Sequence, residues 1–280
     1  MSERGEYNPD EDPQQRMETI GIAFESQEYE RAVKDSVETI TKWTREGRQD
    51  AALELAQKVE MYRAQIAEAQ PELLNAFDTK LAEAYLYAGD NENDYLAGAE
   101  ERYQRVLETK LTDVPEEGEL TAVERQKYSE VFHAFDRLGD VAFVGGRYQE
   151  AGDRYGDAIE RRAEFADDPN EQGPLACATY GKAASAFMAG DIENAERLSQ
   201  EALDGLEGIE ANEELLRSNI LSLQEAIHGY SQLDAEQRER VLEKLDEAVG
   251  QRGGSGGGVK RFAFGELFLE AEKEATENEG

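Results

Sequence analysis

The side chains that could carry chemistry are few and widely spaced. The two histidines, His133 and His228, and the one cysteine, Cys177, stand in separate stretches of helical periodicity. Neither histidine has a His or Cys neighbour at the spacing a zinc site needs. Cys177 has no histidine near it in sequence and no electropositive surroundings, so it reads as a small buried residue rather than a nucleophile. A single cysteine also leaves no internal disulfide to form. The glycines between Gly253 and Gly258 lack the Lys-Ser or Lys-Thr that completes a phosphate loop, and they do not join a strand to a helix. Paired carboxylates such as Asp167 with Asp168 and Glu213 with Glu214 recur, but in a chain with 63 acidic residues adjacency carries little information. No catalytic, cofactor-binding or metal-ligating residue is assigned, and the chain is expected not to be an enzyme.

The elements that would have to position any site are acidic helices. Against the 63 acidic residues stand 30 basic ones, a formal net charge of -33. Such a surface repels nucleic acid and anionic lipid, which removes both as expected partners. The acid is spread along the chain rather than gathered in a docking tail, and lysine is scarce. Together these features resemble proteins of salt-loving microbes, whose carboxylate surface stays hydrated while salt screens its repulsion, so stability is expected to rise with salt. No apolar run approaches the ~20 residues that span a bilayer, and the start is not signal-like, so a soluble cytoplasmic protein is expected.

Hydrophobic spacing is helical almost throughout, and sustained period-two runs of Val, Ile and Thr are absent, which predicts an all-α fold. Gly47, Gly89, Gly145 with Gly146, and Gly190 each end one amphipathic run just before another begins. Thr121 with Glu124 and Asp234 with Gln237 have capping-box spacing. Loops are expected at 113–119 and 166–174, where Asp, Glu, Pro and Gly gather. The boundaries read as a disordered start over 1–12, a helical array over 13–249, a Gly-rich flexible linker over 250–258 and a C-terminal amphipathic helix over 259–280. In that last segment Phe264, Leu267, Phe268 and Ala271 share one helix face.

The array repeats itself. Leu138 to Glu160 holds Leu138-Gly139, Tyr148, Ala151, Tyr155 and Ala158 at the spacing of a helix-turn-helix with small residues at the crossing and an aromatic packed back. Weaker copies run from Ala183 to Asp204, from Leu81 to Glu108 and from Ile20 to Ile40. On these residues the chain resembles the tetratricopeptide repeat (TPR) family in a divergent, loop-bearing form. The resemblance implies a superhelix of stacked helix pairs with an inner groove, joined here to the tethered C-terminal helix. A few stretches, Glu130-Val131-Phe132 and Leu215 to Asn219, also resemble 14-3-3 proteins, but Phe143 and Val144 stand where that family's phosphate pocket has arginine and tyrosine.

Aligning the copies places Phe24, Leu86, Phe143 and Phe187 in one register, followed by Tyr87, Val144 and Met188. Through the TPR resemblance this column implies an apolar groove for a helical or extended peptide. TPR domains that hold acidic chaperone tails use basic residues on this face. Here Thr79, Glu83, Asp136, Asp140 and Tyr180 occupy it, which disfavours that ligand. The expected function is a protein-interaction adaptor or scaffold, with no cofactor and a protein or peptide as partner. The alternative is a regulatory or assembly module acting through its C-terminal helix. Phe264, Leu267 and Phe268 are expected to make that helix's contact, either within the chain or on a partner.

Overall fold

The computed structural model describes residues 12–88, 95–110, 122–163, 169–207, 214–253, 259 and 262–277. Among them every regular element is helical: α1 (Pro13–Glu25), α2 (Tyr29–Arg45), α3 (Gln49–Glu60), α4 (Arg63–Ala69), α5 (Leu74–Ala88), α6 (Tyr95–Lys110), α7 (Ala122–Val144), α8 (Tyr148–Ala163), α9 (Pro169–Met188), α10 (Ile192–Asp204), α11 (Glu214–Gln232), α12 (Ala235–Gly253) and α13 (Phe264–Glu277), with a 3-10 turn at Pro71–Leu73. In the run from α5 to α11 each helix packs on the next, as stacked pairs in an all-α superhelical fold. No described helix is long and apolar enough to cross a membrane.

Four helix junctions are built alike. One residue in each is left-handed: Gln27 (φ 62°), Gly47 (φ 74°), Gly146 (φ 69°) and Gly190 (φ 79°). Its N–H reaches the carbonyl three residues back, and the next N–H reaches five back, as in Gly146 to Phe143 at 3.1 Å and Arg147 to Ala142 at 2.9 Å. This double closure satisfies the last carbonyls of the helix while turning the chain. Five residues after each left-handed position stands an alanine, Ala32, Ala52, Ala151 or Ala195, at most 1% exposed where the two helices cross.

Tyr155 of α8 is the wedge of the third junction. A Cβ on Gly139 of α7 would stand 2.6 Å from its ring, and one on Gly181 of α9 2.7 Å, so both neighbouring backbones approach the ring to a distance only glycine allows. Gly139→Ala should therefore destabilise by about 1–3 kcal/mol, because overpacking outweighs the gain of up to about 1 kcal/mol in helix propensity. Gly152→Ala in α8 meets Ser185 at an ordinary 3.8 Å and should stabilise instead. Urea midpoints of opposite displacement for the two variants are the expected result.

Several boundaries differ from the sequence expectation. α9 begins at Pro169 and carries Pro174 inside it, where a loop is expected. Proline at the entrance costs no bond, and Glu171 in the first turn is tied back to Arg162 of α8 at 2.6 Å. α12 continues over 250–253, into the expected linker. The C-terminal helix starts at Phe264 rather than at 259. Asp12 belongs to the fold as the N-cap of α1, accepting from Gln14 N–H. The remainder of the expected disordered start (1–11), linker residues 254–258, Gly89, Thr121 and the loop over 113–119 lie outside the described residues.

Candidate peptide-binding groove

α13 packs on both α11 and α12, which are not a closely packed pair with each other. α12 in turn crosses to α7 and α9, and Tyr148 at the start of α8 donates its hydroxyl proton to Asp246 of α12. Val259, Phe262 and Phe264 are thereby laid against the α7 and α9 faces that the sequence alignment assigns to an inner groove.

Two polar side chains hold that segment by its backbone. Asp140 Oδ1 on α7 accepts the Val259 N–H at 3.0 Å, and the Tyr180 hydroxyl on α9 donates to the Phe262 carbonyl at 3.1 Å. Ser222 Oγ on α11 accepts the Gly265 N–H at 2.8 Å. Asp140 is fixed in turn by Arg137 at 2.7 Å and by the Tyr155 hydroxyl at 2.7 Å. Burial, reinforced by the Asp140 carboxylate, pushes the Tyr155 hydroxyl well above its ordinary value. Burial does the same to Tyr180. Both therefore remain protonated donors at neutral pH.

Aromatic rings hold the segment's side chains. Phe264 lies 6.2 Å from Phe143 and 6.1 Å from Phe187, both at an interplanar angle of 87°. Phe262 lies 5.9 Å from Phe143, whose ring also meets Tyr148 at 5.2 Å. Tyr230 closes the far side of Phe187 at 5.7 Å. Edge-to-face pairs at these separations add to the gain from burial alone. Beyond them Leu267 and Phe268 are buried as well.

The groove column is covered and divided. Phe24 lies in the N-terminal core with Phe77 and Tyr62; Leu86 and Val144 lie in a core shared by α5, α6 and α7; Phe143, Phe187 and Met188 lie in the C-terminal core with the tail. All six are buried and Tyr87 is half-buried. A continuous open groove does not result, because each residue packs first inside its own helical unit. Of the seven, Phe143 and Phe187 meet the expected tail residue Phe264 directly. Asp140 and Tyr180, which enter the sequence reading only as missing cations, are the residues that hold the backbone.

The remaining charged groups on this face are engaged with one another. Arg162 bonds both Asp136 and Glu171. Glu83 accepts from Lys80 at 2.8 Å and lies 3.3 Å from His133 Nε2. Burial alone would raise the Glu83 carboxyl, but the hydrogen bond to His133 and the charge of Lys80 outweigh it and hold it at about 2. The cavity beside Asp140 has a volume of ≈ 30 Å³, about the room of one water molecule. Among the described residues no group of three or more His, Cys, Asp or Glu side chains converges as a metal ion needs. The arrangement can hold a peptide backbone and seat two rings. No protein-family model matches the chain, and no curated protein matches it.

Proposed function

We propose that the chain is a non-catalytic interaction scaffold of TPR-like kind. Its seat over α7, α9 and α11 recognises a Val-x-x-Phe-x-Phe segment, closed into a turn by the Phe262 N–H to Val259 carbonyl bond, that leads into an amphipathic helix. Val259 and residues 262–277 fill that seat in cis, and a partner protein carrying a similar segment displaces them. The cytoplasm of a salt-rich cell is the setting that fits the acidic surface. The observation that carries the reading is that side chains from two helices, Asp140 and Tyr180, bond the segment's backbone N–H and carbonyl. Backbone bonds tolerate any residue between the anchors, while the aromatic seat selects those at Phe262 and Phe264. The alternative of an exported tail contact gains no support, since Phe264, Leu267 and Phe268 are all buried.

The test supplies the segment in trans. A labelled peptide of residues 259–277 is titrated into the full chain and into the full chain carrying Phe262→Ala with Phe264→Ala, with helicity monitored by circular dichroism. Tethering gives the native segment an effective concentration on the order of millimolar, so the unaltered chain should bind the peptide far more weakly than the variant. A variant that remains helical yet fails to bind would reduce the segment to a structural element.

A further inference from the structure

The α1–α2 junction repeats the backbone turn and the residue spacing of the α7–α8 junction at the occupied seat. Phe24 and Tyr29 stand three residues before and two after left-handed Gln27, as Phe143 and Tyr148 stand about Gly146. At Phe143 the space beyond the ring is filled by Phe262 and Phe264. At the α1–α2 junction Tyr62 covers the buried Phe24 ring instead, and outside that pair lies a cleft of ≈ 700 Å³ between the junction and α4, bordered by Glu25, Tyr29, Tyr62, Gln65 and Glu68. Tyr62 stacks flat on Phe24, with centroids 4.6 Å apart and planes 6° apart, so the cleft wall is a fixed aromatic surface.

The chemistry of that wall is specific. Among the described residues no basic side chain borders the cleft. Glu25 and Glu68 are exposed and have no ion-pair partner among the described residues. Elsewhere the chain pairs an aromatic ring and carboxylates with an arginine of its own. Arg102 lies 4.0 Å over Tyr85 and bonds Glu60 at 2.8 Å, and Arg162 lies 5.2 Å over Phe132 and bonds Asp136 and Glu171. The cleft supplies the same two components without a guanidinium. Gln27 at its rim keeps a side chain in a left-handed position where the other three junctions have glycine, a conformation that costs a non-glycine residue energy.

We propose that this cleft is a second recognition site, which seats the arginine side chain of an extended partner segment between Tyr29, Tyr62 and the carboxylates of Glu25 and Glu68. Arginine suits it better than lysine, because a planar guanidinium stacks on a ring and still bonds a carboxylate through its edge. The site does not depend on whether the C-terminal segment is ever released.

The test uses the full chain and the peptide Gly-Ala-Arg-Ala-Ala-Gly, read by fluorescence anisotropy and by amide shifts in two-dimensional NMR. Binding should move the amides of Phe24 to Tyr29 and of Tyr62 to Ala69. Replacing the arginine by citrulline, or Glu25 and Glu68 by glutamine, should weaken binding by about tenfold, the scale of a cation–π contact with an exposed ion pair. The glutamine variant should keep its thermal midpoint, because both carboxylates are exposed. The Phe262→Ala, Phe264→Ala chain should bind the peptide as the unaltered chain does, which separates this site from the C-terminal seat. Equal affinity for the citrulline peptide overturns the proposal, as do shifts confined to α11–α13. Binding that appears only after residues 1–11 are removed overturns it in favour of that segment as occupant.

Discussion

Asp140→Ala is expected to lower the unfolding free energy by about 3–5 kcal/mol, the cost of removing one partner from a buried charged pair. The carboxylate is 5% exposed and accepts from three directions: Arg137 one turn earlier on α7, Tyr155 on α8, and the Val259 N–H of the C-terminal segment. Alanine deprives the 8% exposed Arg137 of its nearest carboxylate and leaves two further buried donors without this acceptor. Asp140→Asn keeps an acceptor oxygen but turns an amide N–H₂ toward one of the donors, so its cost should fall between that of alanine and zero. Urea denaturation measures both. A loss below about 1 kcal/mol for alanine, the scale of a surface change, would show that Asp140 does not join α7, α8 and the tail.

The features legible in the sequence were those with local causes. The Asp234–Gln237 capping box forms both reciprocal bonds, at 3.0 and 2.9 Å, because every atom involved lies within one turn. Gly146 and Gly190 end their helices in the left-handed conformation that glycine at a helix end signals. Gln27 does the same and could not be foreseen, since nothing about glutamine marks a positive φ; the junction imposes it through bonds to Phe24 and Ala23. Pro174 misleads in the opposite sense. Its neighbourhood reads as a loop, yet the helix runs through it, held at its start by the Arg162–Glu171 pair. The tail's apolar face was visible as a spacing. Its berth between α11 and α12 was not, because Ser222 and Gly229, which receive it, look like any small residues on a helix. The same holds for Asp140, whose partners lie 15 and 119 residues away in the chain.

Gly229→Leu should unseat α13 without altering a single residue of it. A Cβ on Gly229 would stand 2.5 Å from the Phe268 ring at Cε1 and 2.9 Å at Cζ, so a larger side chain and the ring cannot share the space. Phe268 is 4% exposed, so its ring does not reach solvent unless the helix moves with it. Overpacking of this kind costs about 1–3 kcal/mol, which corresponds to about a five- to 150-fold increase in the opening constant of the element it strains. Because α13 packs chiefly on α11 and α12, that increase should appear in hydrogen exchange of the amides from Phe264 to Ala275, while those of α7 to α10 keep their protection. Adding Phe268→Leu to the same chain removes the ring that the introduced leucine side chain would strike. The pair should then be less destabilised than the sum of its single variants, as expected for residues that share one contact. Additive losses would mean that Gly229 and Phe268 do not meet. Acceleration shared equally by α7 to α10 would mean that α13 is part of the cooperative core and is not released separately from it.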